Sequence, residues 1–227
     1  MSHARREMGR AVEVYTRMKN SVFIIESLYA SDERLKRFEG DILKRTLALC
    51  GKRAKYKYVR SRKQLRAALG RFKASRMRYL HISCHGDKTS IATTHGSLSF
   101  DEFASLIRPY LRGRRLFLSA CLATNETLAA KVFPDSGCRS LAGPKGKPPF
   151  RDSVVMWALF YNLMFRQKLK DPLKNPHGMS REHIELSLSI VSMELTRFRG
   201  HCRSHESAVG VVHGQAQTAG VHGGVQG

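Results

Sequence analysis

Two short segments carry the residues best suited to chemistry. YLHISCHG, residues 79–86, closes an apolar run with His85 and Gly86, and RLFLSAC, residues 115–121, closes another with Cys121. A thiol beside an imidazole is the basic requirement for nucleophilic catalysis, because the thiolate attacks while the base sets its population and later protonates the leaving amine. Gly86 brings a backbone N–H with no side chain next to His85. Together with the Cys121 N–H it could donate to a tetrahedral oxyanion. Alternation along a strand turns Cys84 away from His85, marking it as a core thiol. His81 and Ser83 share the His85 face and read as supporting hydrogen bonds or packing. Taken alone, Cys121 would be a buried structural cysteine, since free cysteine is among the most buried residue types. Its placement with His85 at neighbouring strand ends is what favours catalysis.

Those strand ends need a scaffold, and hydrophobic periodicity supplies one. Ser21–Glu26 reads as a buried strand. A helix follows from Asp32 to Cys50, with Ser31 at its start and Gly51 closing it. Ala54–Arg60 alternates Lys55 and Lys57 against Tyr56 and Tyr58, as an edge strand would. Ser61 then caps a helix with Leu65, Leu69 and Phe72 on one face. Tyr79–Cys84 is a third strand, a hairpin turns around residues 93–97, Phe100–Leu111 is a helix, and Arg115–Ala120 is a fourth strand. Asn125–Val132 reads as a helix and Cys138–Ala142 as a short strand. Asp152 caps an apolar helix ending near Arg166, and a loop over 170–178 leads to a last helix over 180–198. Strands alternating with helices predict the α/β class, a mainly parallel sheet covered on both faces. In such sheets functional groups gather at the carboxyl ends of strands, where His85 and Cys121 fall.

The pair HISCHG and LFLSAC, each ending an apolar strand, resembles the caspase-like cysteine peptidases, and within them the bacterial CHAT-type branch with its His-Gly and Ala-Cys at these two ends. The stretch SLAGPKGKPPFRDSVVMWALFYNLMF is similar to that branch's segment after the nucleophile, including a Phe-Tyr pair at Phe160 and Tyr161. The resemblance covers about residues 20–166. It implies a caspase-like three-layer sandwich and peptide-bond hydrolysis by a Cys121–His85 dyad through a thioester, without a cofactor. It also implies a regulated effector of a bacterial defence or programmed-death system.

The chain departs from that pattern in two ways. Ser119, two residues before Cys121, stands where related branches place an S1-lining acid or glutamine. Specificity must then come from elsewhere, and Glu26, Asp32 and Asp152 are the candidates for an S1 pocket that would favour a basic P1 residue. Asp32 and Asp152 are equally explained as helix-start residues. No long linker separates Cys121 from Cys138, so activation by a partner, a ligand or dimerisation is expected rather than by cleavage there.

The charge is lopsided. The 227 residues carry 40 Lys+Arg against 18 Asp+Glu, a formal net charge of +22, and fourteen of the basic residues fall between Asp41 and Asp87 with no acid among them. Lys55, Lys57, Arg60, Arg62, Lys63 and Arg66 form the centre of this block, a candidate docking face for an acidic activating partner or nucleic acid. A merely solvated face explains the same run, and aromatic interleaving is thin. The competing function is therefore a caspase-like binding module that docks nucleic acid, a nucleotide messenger or an acidic partner through the basic 44–78 face, with proteolysis secondary or lost. A third reading is an acyltransferase or other thiol hydrolase on the same dyad.

The composition is globular, with 42% hydrophobic residues. Five dispersed cysteines without a secretory leader suggest free thiols in a cytoplasmic setting. The longest apolar stretch, Val154–Phe165, is short of the roughly 20 residues a membrane helix needs. The domain reading is a basic segment over 1–20, a peptidase core over 21–169, a loop and helix over 170–199, and a Gly/His-rich tail over 200–227 expected to lack fixed structure. In that tail His201, Cys202, His205 and His213 lack the spacing of a structural zinc site, so no metal is expected. His95 reads as a surface residue or part of a flap over the site.

Overall fold

The computed structural model describes residues 21–166 and 209–213. Strand β1, Ser21–Glu26, is buried along its whole length, as expected of a strand covered on both faces. Its alternate residues enter two separate cores: Phe23 and Ile25 join one, Val22 and Ile24 the other. That split defines three layers.

The sheet runs β2-β1-β3-β6-β7-β8, with β2 Arg53–Tyr58, β3 Tyr79–Ser83, β6 Arg115–Ser119, β7 Ser140–Pro144 and β8 Val209–His213. The first five are parallel, and β8 adds an antiparallel edge on β7. The α/β class with a mainly parallel sheet is the one the alternation of elements predicts. Strand β8 lies within the tail expected to lack structure. Its sequence VGVVH is rich in β-branched residues, and a partner strand satisfies backbone groups that the composition of the tail alone does not provide for.

On one face lie α3 (Arg62–Ser75), α4 (Phe100–Ile107) and α5 (Glu126–Val132), which place Leu69, Phe72, Phe103 and Leu128 against the sheet. The opposite face is covered by α2 (Glu39–Leu49) and α6 (Phe150–Arg166), whose Leu43, Trp157, Phe160 and Tyr161 close around Phe117. The expected cap at Ser61 forms, and Asn125, read as the first residue of its helix, is also a cap, each side chain accepting a backbone N–H three residues on. Ser99 and Glu102 add a capping box at α4. The hairpin around 93–97 also forms, as β4 Ser90–Thr93 and β5 Gly96–Ser99.

Two expected helix starts are displaced. The helix predicted from Asp32 to Cys50 is two helices, α1 Ala30–Arg34 and α2, separated by a turn in which Lys36 adopts φ 54°. No glycine or proline marks this break in the sequence. Tertiary packing sets it, with Phe38 edge-on to Tyr58 of β2 at 5.4 Å. Asp152 does not cap α6, which begins at Phe150 and carries Asp152 inside its first turn. No helix among the described residues is long and apolar enough to cross a membrane. The predicted loop over 170–178, the helix over 180–198 and the segment 1–20 lie outside the described residues.

Candidate active site

The chain runs from β1 outward to β2, then returns to the other side of β1 for β3, β6 and β7. The crevice beyond the carboxyl ends at such a reversal is where open α/β sheets bind ligands. A cavity of roughly 240 Å3 lies there, lined by residues at or beyond the ends of β1 (Leu28, Asp32, Arg37, Glu39), β3 (Ser83, Cys84, His85), β6 (Ser119, Ala120, Cys121) and β7 (Pro144, Pro148), with Phe150 and Ser153 from α6. His85 and Cys121 thus share one cavity, because β3 and β6 pair in register with Ser83 opposite Ser119 and Cys84 N–H donating to the Ser119 carbonyl at 3.0 Å.

His85 is held on two sides. Its Nε2 lies 2.8 Å from Asp32 Oδ2, and its ring stacks on Tyr29 with centroids 4.0 Å apart and planes 4° from parallel. Since a carboxylate only accepts, Nε2 carries the proton and donates. In a neutral ring the lone pair is then on Nδ1. The other Asp32 oxygen accepts from Arg37 Nη1 at 3.1 Å. Asp32 is therefore the partner of His85, a role its reading as an S1 acid or helix-start residue did not include.

The α1 segment that carries Asp32 is fastened to the end of β2. Tyr58 accepts from Leu28 N–H at 3.2 Å and donates to Glu33, while Arg60 pairs with both Glu33 oxygens at 2.9 and 3.2 Å. The Arg60 and Tyr58 bonds hold the Glu33 carboxyl below its ordinary range.

Cys121 leaves β6 through a sharp turn in which Leu122 adopts φ 57°, an unfavourable left-handed conformation for a branched side chain. Leu122 N–H donates to Gly146 O at 3.0 Å, tying this turn to the loop after β7. Two glycines let neighbouring backbone approach. A Cβ on Gly86 would stand 3.1–3.2 Å from Ala120, Ala123 and the Cys121 carbonyl, and one on Gly143 would collide with the Leu118 carbonyl at 2.1 Å and Thr124 Oγ1 at 2.3 Å. Gly86 bridges to Ile91 through the flanking bonds of Asp87 and Ala92. The Gly86 N–H has no hydrogen bond among the described residues, but Gly86 is not among the residues lining the cavity, and the Cys121 N–H lies against its own thiol.

Burial pushes the Cys121 thiol above its ordinary value. Lys147 pulls it down and Glu39 pushes it further up. No hydrogen bond joins Cys121 to His85 among the described residues. Cys84, expected to turn away into the core, instead lines the same cavity as His85 and Cys121 while packing against the core, and burial pushes its thiol up to about 12. His81 is fully buried, with Nδ1 3.1 Å from the Tyr161 hydroxyl and its ring edge-on to Trp157. It belongs to the core beneath the site.

Of the S1 candidates, Ser119 and Asp32 line the cavity. Glu26 does not. It is fully buried at the end of β1, accepting from Gly40 N–H at 2.8 Å and Tyr56 O–H at 2.7 Å, and burial raises its carboxyl to about 7. It joins α2 and β2 to β1. Asp152 is also absent from the lining; it sits in the first turn of α6 with Arg151 at 3.5 Å. Tyr29, Arg37 and Glu39 were missed by sequence reasoning. The segment following a central strand was the available signal, obscured by reading 32–50 as one helix.

In the basic block, Arg60 is occupied by Glu33 and Arg62 by Glu102 at 2.8 Å. Lys55, Lys57, Lys63 and Arg66 have no ion-pair partner among the described residues. Lys55 and Lys57 register with Phe23 and Ile25, so they emerge on the side of the sheet covered by α3, which carries Lys63 and Arg66 exposed. His95 follows the β4 strand, its N–H donating to Arg60 O at 2.9 Å. Among the described residues no three His, Cys, Asp or Glu side chains group to hold a metal ion, and His201, Cys202 and His205 lie outside those residues. Compared with known protein families and with curated proteins, the chain matches no family and no curated relative.

Proposed function

We propose that the chain is a caspase-like cysteine peptidase that hydrolyses peptide bonds in protein substrates. The observation that carries this reading is the shared cavity at the switch point, with Cys121 on one strand exit and, on the next, His85 held through Nε2 by Asp32.

In the reaction, the Cys121 thiol gives its proton to His85 Nδ1 and the thiolate attacks the scissile carbonyl carbon. The carbonyl electron pair moves onto oxygen. Collapse of this intermediate breaks the C–N bond, and His85 protonates the departing amine. Water, deprotonated by His85, then attacks the thioester, releasing the carboxylic acid and restoring the thiol. Asp32 stabilises the imidazolium in both halves.

Burial disfavours the Cys121 thiolate. This supports a regulated effector, as in bacterial defence or programmed death, switched on by a partner, a ligand or dimerisation. Transfer of the thioester to another nucleophile uses the same residues, and water as the acceptor separates hydrolysis from acyl transfer.

The test is a positional-scanning peptide library, together with an electrophilic peptide probe, applied to wild type, Cys121→Ala and His85→Ala. Hydrolysis and labelling at Cys121 are expected in wild type alone. Equal hydrolysis by all three proteins would exclude the dyad.

A second reading rests on Lys55 and Lys57 sharing one side of the sheet with Lys63 and Arg66. On that reading the surface docks an acidic partner or nucleic acid, which would place the peptidase on its activator.

A further inference from the structure

We infer that Cys84 and Cys121 form a redox-active dithiol, in which Cys84 resolves an oxidised Cys121 into an internal disulfide when a hydroperoxide enters the cavity. The modification stands on the two thiols. Its consequence, reversible loss of the nucleophile, rests on the peptidase reading.

Strand pairing brings the two residues together. Ser83 registers with Ser119, and the Cys84 N–H donates to the Ser119 carbonyl at 3.0 Å. Cys121 therefore follows the residue opposite Cys84. At a strand spacing of about 4.8 Å and a rise of about 3.3 Å per residue, that offset puts the two Cα atoms about 6 Å apart. A disulfide spans roughly 4.4–6.8 Å between Cα atoms.

In a continuous strand, alternation would turn the two side chains to opposite faces. Here β3 ends at Ser83 and β6 at Ser119, and Leu122 at φ 57° bends the chain just past Cys121. Both cysteines thus lie outside the regular strands, both line the one cavity and both are half-buried. The charge of a Cys121 thiolate pushes the Cys84 thiol further up, an effect of proximity. The other described thiols are committed elsewhere. Cys138 is buried with its S–H donating to the Ser140 carbonyl at 3.4 Å, and Cys50 is exposed beside Asn162 of α6.

The chemistry balances in two steps. The Cys121 sulfur attacks one oxygen of the peroxide, the O–O bond breaks, and the other oxygen leaves with the thiol proton as water. Cys121 is then a sulfenic acid, oxidised by two electrons. The Cys84 sulfur attacks the Cys121 sulfur, the S–S bond forms, the S–O bond breaks, and the hydroxide takes the Cys84 proton and leaves as a second water.

Burial works against Cys84 as the attacking group, and proximity offsets it. With the thiol pushed up to about 12, about one Cys84 in 10^5 is thiolate at pH 7. A well-placed intramolecular group acts at an effective concentration of about 10^5 M or more, so the product is on the order of 1 M. A solution thiol at about 1 mM is a few per cent thiolate at pH 7 and supplies on the order of 10^-5 M. Internal closure wins even if imperfect geometry costs it about a thousandfold.

The test treats the full chain with hydrogen peroxide at pH 7 beside about 1 mM glutathione, quenches free thiols with N-ethylmaleimide, and digests with trypsin without reductant. Cleavage after Arg78, Lys88, Arg115 and Lys131 leaves Cys84 and Cys121 on separate peptides, 79–88 and 116–131, so mass spectrometry reads their linkage directly. In wild type the linked pair should exceed the glutathione adduct of Cys121 by about tenfold or more. In Cys84→Ser and Cys84→Ala the adduct should replace it. After peroxide alone, dithiothreitol should return most of the wild type's starting hydrolysis but only a small part of either variant's own.

A wild type that gives the glutathione adduct or a sulfinic acid at Cys121 without the linked pair, or that leaves both thiols unmodified, overturns the pairing whatever its hydrolysis. A linked pair in a wild type whose reduced form hydrolyses no peptide upholds the pairing and overturns the peptidase reading instead.

Discussion

The Glu26 carboxyl offers a quantitative check on how the loops beyond β1 are held. It is fully buried, and burial raises it from 4.5 to about 7, aided by the nearby charges of Glu39 and Asp41 and opposed by hydrogen bonds from Gly40 N–H and Tyr56 O–H. Between those two pH values the folded protein holds this proton and the unfolded chain releases it. Stability therefore falls as pH rises through the window and is flat for this group above it. Two and a half pH units at about 1.36 kcal/mol each give about 3 kcal/mol. That is a large share of the roughly 5–15 kcal/mol by which domains are stable.

Glu26→Gln should remove the dependence. The amide oxygen still accepts from Gly40, and the Tyr56 hydroxyl can reverse to accept from the amide N–H. Urea unfolding of both proteins from pH 4.5 to 8 is the assay. The wild type should lose about 3 kcal/mol relative to the variant across the window, while carboxylates lowered in the fold, such as Glu33 and Asp87, affect both equally. Parallel curves would refute the reasoning and mean that the carboxyl is solvated or paired in solution.

Asp32→Asn should cost more activity than its size suggests. Arg37 donates to Asp32 Oδ1, so an asparagine there keeps its oxygen toward Arg37 and turns its NH2 toward His85 Nε2. That forces the proton onto Nδ1 and removes the base. A loss of kcat/KM on the order of 10^3–10^4 is expected, by analogy with the same exchange in a serine-protease triad, with the loss partly restored at alkaline pH where free thiolate forms. A modest loss at every pH would mean Asp32 only packs. For the basic surface, exchanging Lys55, Lys57, Lys63 and Arg66 for glutamine should abolish a salt-sensitive affinity for single-stranded RNA or an acidic peptide; wild type showing no binding to either at low salt counts against a docking role.

The local sequence determined most of the scaffold and marked the candidate pair. Apolar runs of strand length, Ser61 as a cap, and His85 and Cys121 at the ends of two runs all depend on neighbours in sequence, which set periodicity, capping and exit turns. Strand alternation alone misplaced Cys84, which the exit of β3 brings into the same cavity as His85 and Cys121. Tertiary structure decided the rest. Whether residues 32–50 form one helix or two depends on Phe38 meeting Tyr58 and Glu33 meeting Arg60, contacts between segments that local pattern does not encode.

Because that break lies between α1 and α2, it sorts the acids as well. Asp32 goes to His85, Glu26 into the core to anchor Gly40 and Tyr56, and Glu39 to a nearly buried place beside His81. Sequence alone marked which residues could ionise and which could attack. Which carboxylate faces which partner depends on burial and distances of a few ångströms across the β1, β3 and β6 ends, and these exist only once the strands have paired.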